Sequence, residues 1–206
     1  MALSTYSELK SSVADWLNRT DLTTAISDFV SLAEAQIERK LRTRQMLTRA
    51  NATIDTEYAA LPPDFLEAKS FKINTNPVVS LQFETIDSIY NLAPKYSSAS
   101  TPKFFGVIGG QFIFLPIPDS SYTGELAYYA KLSKLSDSNT TNWLLTAAPD
   151  IYLYGTLLQA APYLQDDARI STWSSLYQRG IEDLQLADER SASSAGALLA
   201  RARTFG

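Results

Sequence analysis

The 206-residue chain contains no cysteine and no histidine. Without cysteine it can form no disulfide bond, no thiolate metal site and no cysteine nucleophile. Without histidine it lacks the most common general base and transition-metal ligand, and with them every mechanism of the Ser-His-Asp or Cys-His type. These two absences exclude large classes of enzyme and metalloprotein.

Long apolar runs and a strong net charge are also missing. The chain has no run of about 18 apolar residues, the length that a membrane-spanning helix requires. Its first residues, MALSTYSELK, lack the basic region and apolar core of a secretory signal. The formal net charge of −4 is mild and argues against a general DNA-coating role. We expect a protein kept in a cytoplasm-like compartment, with no membrane partner.

Residues 151–164 are apolar on every helical face. A helix of this kind cannot lie on a surface, so we expect other elements to surround it. Pro149 suits the first helical turn, Asp150 favours the positive end of the helix dipole, and Pro162 should kink or end the helix. At about 14 residues the segment is too short to span a bilayer, which favours a buried core helix.

Amphipathic helices are predicted on both sides of this segment. Residues 5–18 begin with Thr5 and Glu8 at the spacing of a capping box. Residues 22–42 carry the clearest apolar stripe in the chain, and a last helix is predicted over residues 166–190.

The spacing of apolar residues changes in the middle of the chain, where short strand patterns alternate with turns. The pair Gly109-Gly110 permits the positive φ angles of a two-residue hairpin. The second arm of that hairpin, residues 111–115, is apolar on both faces, which predicts a strand covered on both sides.

The order helices, strands, helices predicts an α+β fold that is mainly α. We expect a helical bundle, formed by residues 1–44 and 136–190, around the buried central helix. Residues 45–135 would form a β-rich insertion in that bundle. Residues 191–206, rich in alanine and serine, would form an extended C-terminal arm.

The clearest charge run consists of Arg39, Lys40, Arg42 and Arg44, followed by Arg49. Most of it lies where the second helix should end, so favourable interaction with the helix C-terminus explains part of it. The functional alternative is a contact with an acidic partner surface or with nucleic acid phosphates.

The C-terminal arm contains the alternating residues Leu199, Arg201, Arg203 and Phe205. A frayed terminus is one explanation. The other is a segment that becomes ordered on a partner, since this alternation suits addition of a strand to a sheet.

Acidic pairs such as Asp166-Asp167 are the remaining candidates for chemistry. Adjacent residues on a helix point about 100° apart and do not converge on one substrate, which favours helix capping or a solvated face. The glycine-rich residues 106–110 lack the Lys-Ser/Thr of a phosphate-binding loop, and no spacing matches a calcium loop. We predict no catalytic site, no cofactor and no metal.

Several stretches, in this order and at this spacing, resemble the head-to-tail adaptor (head completion, or connector) proteins of tailed bacteriophages, in particular the phage SU10 adaptor group. They cover most of the chain: TYSELKSSVADWLNRTDL with the following helix to RKLRTRQM, LPPDFLEAKSF, the hairpin PKFFGVIGGQFIFLPIPD with Tyr128-Tyr129, TTNWLLTAAPDIYLYGTLLQAAPYLQDDAR, and the helix with Trp173 and Tyr177.

This resemblance implies a structural virion protein without enzymatic activity. Such proteins form a ring, here taken as about twelve copies to match the portal, that joins the capsid to the tail and extends the DNA channel. The implied partners are the portal protein, tail (nozzle or fiber-attachment) proteins, other copies of the chain, and passing genomic DNA without sequence-specific binding. We place portal contact on the C-terminal arm and tail contact on the β-rich part. The implied location is the virion, and the host cytoplasm during assembly.

Two alternatives remain open. One is a tail-associated enzyme that degrades cell walls with two carboxylates, such as Glu8 and Asp28. The other is a helical nucleic-acid-binding protein that uses the basic run.

Overall fold

The computed structural model describes residues 3–164 and 169–193. The chain divides into a helical unit, Met1–Arg44 with Leu132–Gly206, and a β unit, Gln45–Lys131. In chain order the helices are α1 (Tyr6–Leu17), α2 (Thr23–Lys40), α3 (Ile86–Leu92), α4 (Trp143–Ala147), α5 (Pro149–Leu164) and α6 (Ile170–Ser193). The strands are β1 (Leu47–Ile54), β2 (Tyr58–Ala60), β3 (Phe65–Ile73), β4 (Val79–Phe83), β5 (Phe104–Ile108), β6 (Gln111–Leu115) and β7 (Tyr122–Ala130).

The start of α1 confirms the predicted capping box. The Thr5 hydroxyl accepts a hydrogen bond from the Glu8 amide at 3.3 Å, and the Glu8 carboxylate accepts one from the Thr5 amide at 3.0 Å. The helix ends at Leu17 and is capped by Asn18, whose φ of 51° is left-handed. Asparagine tolerates this conformation better than most residues, so the chain can turn there towards α2.

Helix α5 packs against α1, α2, α4 and α6. Its first turns bury Ile151, Tyr152 and Leu157, as the apolar pattern predicts. Pro162 does not end the helix, which continues to Leu164. Close packing on α6 depends on Gly155, where a Cβ atom would lie 3.1 Å from the Tyr177 ring.

The seven strands form one nearly closed sheet in the order β1-β7-β3-β4-β5-β6-β2. All neighbouring strands are antiparallel except β4 and β5, which pair in parallel. Phe71 is the centre of the sheet's core and contacts Phe105, Phe112 and Phe114 edge-on, each at a centroid distance of 5.4 Å. Aliphatic residues complete this core: Ile54, Ile73, Leu81 and Leu126.

The β5–β6 hairpin turns at Gly109 and Gly110, which have φ angles of 57° and 81°, as the Gly-Gly pair predicts. The second arm is covered on both faces, which confirms that prediction too. Phe112 and Phe114 face the sheet's core, whereas Ile113 packs with Ile89 of α3 in a smaller second core.

The predicted fold class, mainly α with a helical bundle around a central helix and a β-rich insertion, is wrong. The chain is 47% helical and 24% strand, and its strands form a nearly closed sheet with a core of its own. The physical reason is that the apolar residues of β1, β3 and β4 lie one or two at a time between polar ones. Only pairing of strands distant in sequence, such as β1 with β7, collects them into a core.

Candidate interaction surfaces

The basic run at the end of α2 is largely engaged within the helical unit. The Nη1 atom of Arg42 donates to the carbonyl oxygens of Glu38 and Leu41, each at 2.7 Å, and so satisfies the exposed end of the helix. The Lys40 ammonium lies 5.5 Å from the ring centroid of Tyr177. These two contacts are of the kind expected from helix termination and packing.

Arg44 fastens the segment after α2 to the last turns of α6. Its amide and its Nε atom donate to Asp188 Oδ1 at 3.1 and 3.0 Å, and its Nη2 atom donates to the Ser191 hydroxyl. Arg39 is exposed. Of the four basic residues assigned to a partner, Arg39 therefore remains the most available for an external contact. Leu199, Arg201, Arg203 and Phe205 lie outside the described residues.

A buried polar cluster holds the returning chain against α2. Glu34 is only 1% exposed, and its Oε1 atom accepts hydrogen bonds from the Leu135 amide at 2.8 Å and the Tyr152 hydroxyl at 3.1 Å. The Asn142 amide donates to the Tyr152 hydroxyl at 2.5 Å and to the Ser133 carbonyl at 2.9 Å. Burial raises the pKa of Glu34, and the hydrogen bonds that its carboxylate accepts from Leu135 and Tyr152 partly oppose that rise.

Sequence reasoning missed Glu34, although a signal for it exists. Glu34 follows Val30 by four residues and precedes Ile37 by three, so it lies on the apolar face of α2. An acidic residue on such a face needs buried partners. Because the cluster is closed to solvent, it fits a structural anchor and offers no access to a polymeric substrate.

The two carboxylates considered for cell-wall hydrolysis have other environments. The Glu8 carboxylate accepts hydrogen bonds from the Ser4 amide at 2.9 Å and the Ser4 hydroxyl at 2.7 Å, and these bonds lower its pKa. Asp28 is exposed on α2. A raised rather than a lowered pKa is typical of a general acid, so Glu8 has the properties of a helix cap. Within residues 3–164 and 169–193, no three acidic side chains are grouped in a way that could hold a metal ion.

The β unit presents an opening in its sheet. Strands β1 and β2 are joined by only three residues, 55–57, yet they do not pair: β1 pairs with β7, and β2 with β6. A cleft of about 240 Å³ lies between them. Alanines on both strands line it together with the buried side chains of Phe71, Phe112 and Leu126. We call this opening the β1–β2 seam.

A second cleft, of about 390 Å³, opens where β4 pairs with only the last part of β3. It is lined by the following residues, all apolar except Glu67: Phe65, Leu66, Glu67, Ala68, Phe83 and Val107. Phe83 is 56% exposed although its ring contacts that of Phe105. An exposed aromatic beside an apolar cleft is a common feature of protein interaction surfaces.

In the described part of the chain no helix is both long and apolar enough to cross a membrane. A family model described as SU10 adaptor protein matches residues 4–200. The chain belongs to this family and is therefore a structural adaptor protein of a bacteriophage, associated with other virion components. No curated protein matches the chain significantly.

Proposed function

We propose that this adaptor forms a ring of about twelve copies below the portal, joins the capsid to the tail and extends the DNA channel. The observation that carries the proposal is the family match over nearly the whole chain, from residue 4 to residue 200. In this function the helical unit provides a rigid body, and the β unit and the C-terminal arm provide contacts with neighbouring proteins.

The charge of the chain is compatible with a channel through which DNA passes. A formal charge of −4 per copy, multiplied around a ring, repels DNA from the wall, whereas a basic lining would retain it. In the basic run, Arg44 is paired with the Asp188 carboxylate, while Lys40 and Arg42 are held against Tyr177 and the end of α2, which limits their reach towards DNA. We therefore assign Arg39 and the arm to protein partners, and the tail (nozzle or fiber-attachment) proteins to the β unit.

The test is to mix the purified full-length protein with its portal ring and to image the product by electron microscopy. We expect closed rings of the adaptor on the portal and a fixed stoichiometry by native mass spectrometry. No detectable binding to the portal at micromolar concentration would contradict the proposal.

The arm gives a sharper version of the same test. Removal of residues 194–206, which begin after the end of α6, should leave the far-UV circular dichroism spectrum nearly unchanged but weaken attachment at least tenfold. A matched control is Ser80→Ala, an exposed position on β4, which should attach like the wild type. Equal attachment of the truncated protein would refute the role of the arm.

A further inference from the structure

The β1–β2 seam has the properties of a docking site for an extended chain. An unpaired strand edge is a template on which another chain can add a strand, and natural sheets protect such edges with lysine, proline or a bulge. Strand β1 runs for eight residues, LTRANATI, without proline or lysine, and its register with β7 is unbroken. Its other edge has no partner among the described strands.

The interior of the seam is apolar and narrow. Ala50, Ala52 and Ala59 leave space between the strands, and Phe71, Phe112 and Leu126 close it from below. With a volume of about 240 Å³, the seam can take small side chains of an inserted strand but not a row of large ones. An occupant therefore needs one face of small, uncharged residues.

One end of the seam is acidic. Asp55 and Glu57 lie in the three-residue connection between β1 and β2, which contains no lysine or arginine. Arg49, at the other end of β1, pairs with Glu125 of β7 at 3.9 Å. A basic segment therefore complements the acidic end of the seam.

The last residues of the chain have the composition that the seam requires: a segment able to extend, with small uncharged residues on one face and basic residues on the other. Residues 191–206 contain two arginines and no acidic residue. In an extended conformation, Ala200, Ala202 and Thr204 would share one face, small and uncharged, while Arg201 and Arg203 would share the opposite face with Leu199 and Phe205. Main-chain hydrogen bonds to β1 would give affinity, and the two faces would give specificity.

We propose that residues 199–205 of one copy add to β1 of a second copy as an eighth strand, with Ala200 and Ala202 in the seam and the two arginines beside Asp55 and Glu57. The inference rests on the proposed ring, in which a second copy is at hand. This inference replaces the portal contact that we expect for the C-terminal arm: the arm binds first to the β1–β2 seam of a neighbouring copy.

The absence of cysteine makes disulfide cross-linking a direct test. Two single variants of the full-length chain, Ala52→Cys and Ala202→Cys, are mixed, assembled on the portal ring and oxidised. We expect a covalent dimer of one copy of each variant, in at least tenfold excess over the dimers of either variant alone. The matched control replaces the seam cysteine by Ser80→Cys, which is exposed on β4 and should cross-link no more than the background.

A charge exchange tests the specificity of the site. Asp55→Lys with Glu57→Lys, or Arg201→Glu with Arg203→Glu, should lower the yield of the 52–202 cross-link about three- to tenfold. Combination of the four changes should restore most of it. If both double variants lower the cross-link yield and the combination of all four changes does not restore it, the proposed charge pairing is contradicted.

The outcomes separate this inference from the proposed function. Rings on the portal without a 52–202 cross-link would overturn the docking of the arm and leave the ring intact. In the double variant Ala52→Cys with Ala202→Cys, a disulfide that forms only within single chains would also overturn it. Failure to assemble on the portal at all would contradict the proposed function and, with it, the inference.

Discussion

The helical unit and the β unit use their polar groups in different ways. In the helical unit Glu34, Asn142 and Arg44 are bound to other groups of the same unit, so that even charged residues serve internal cohesion. In the β unit Glu125 and Asp64 are likewise bound by Lys72 and Tyr128, but the outer edge of β1 pairs with no described strand. The β unit therefore combines internal cohesion with backbone groups to which another chain can bind.

The largest expected effect comes from the core of the β unit. Phe71→Ala removes a ring that contacts three other phenylalanines and should destabilise this unit by about 3–5 kcal/mol. All three tryptophans lie in the helical unit, so their fluorescence reports on that unit alone. In urea, the loss of hydrogen-exchange protection in the β-strand amides should shift to lower concentration more than the fluorescence transition.

Phe83→Ala is the control for this comparison, because Phe83 is more than half exposed, at 56%, and its loss should cost far less. Equal shifts of both signals in Phe71→Ala would mean that the two units unfold as one, and the comparison would fail.

A smaller effect is expected in the helical unit. Glu34→Ala leaves the Leu135 amide and the Tyr152 hydroxyl without their buried acceptor and should cost about 2–4 kcal/mol in urea unfolding. Glu34→Gln keeps an acceptor oxygen and should cost less. The exposed Glu182→Gln should be neutral.

Glu34 also predicts a dependence on pH. Burial raises its pKa above the ordinary value of 4.5, so the folded state binds its proton more tightly than the unfolded state does. The stability that Glu34 contributes is therefore complete below pH 4.5 and declines as the pH rises through the raised pKa. Glu34→Gln should remove this decline from a series of urea titrations. An identical pH profile would contradict a raised pKa.

The smallest effect separates two members of the basic run. Arg44→Ala breaks a partly exposed ion pair with Asp188 and should cost about 0.5–1 kcal/mol. Hydrogen exchange in the last turns of α6 should become faster. Arg39→Ala should leave thermal stability unchanged but weaken attachment to the portal. Unchanged attachment of Arg39→Ala to the portal would contradict a partner contact at Arg39.

Local features of the fold follow from short stretches of sequence. Thr5 with Glu8 and Gly109 with Gly110 act through their own backbone neighbours, so their patterns suffice to predict a cap and a turn. The pairing of strands does not follow in this way. A three-residue connection between β1 and β2 favours a hairpin, yet β2 pairs with β6 instead, because Ala59 lies opposite Phe112 at the edge of the aromatic core.

The same distinction applies to the candidate surfaces. The basic run can be read from the sequence, but whether its members are free depends on residues far along the chain. Asp188 engages Arg44, and Tyr177 lies beneath Lys40. Glu34 is recognisable only as an acidic residue on an apolar face. Its partners, Leu135 and Tyr152, are known only from the folded structure.

The caps, the amphipathic helices, the Gly-Gly turn and the lack of cysteine and histidine chemistry can be predicted from the sequence, because they depend on residue types and on neighbours within a few positions. The nearly closed sheet with its own core, and the seam between β1 and β2, are known only from the folded structure. Strand pairing is a competition among distant segments for the same apolar contacts, and its outcome depends on the whole arrangement rather than on any single segment.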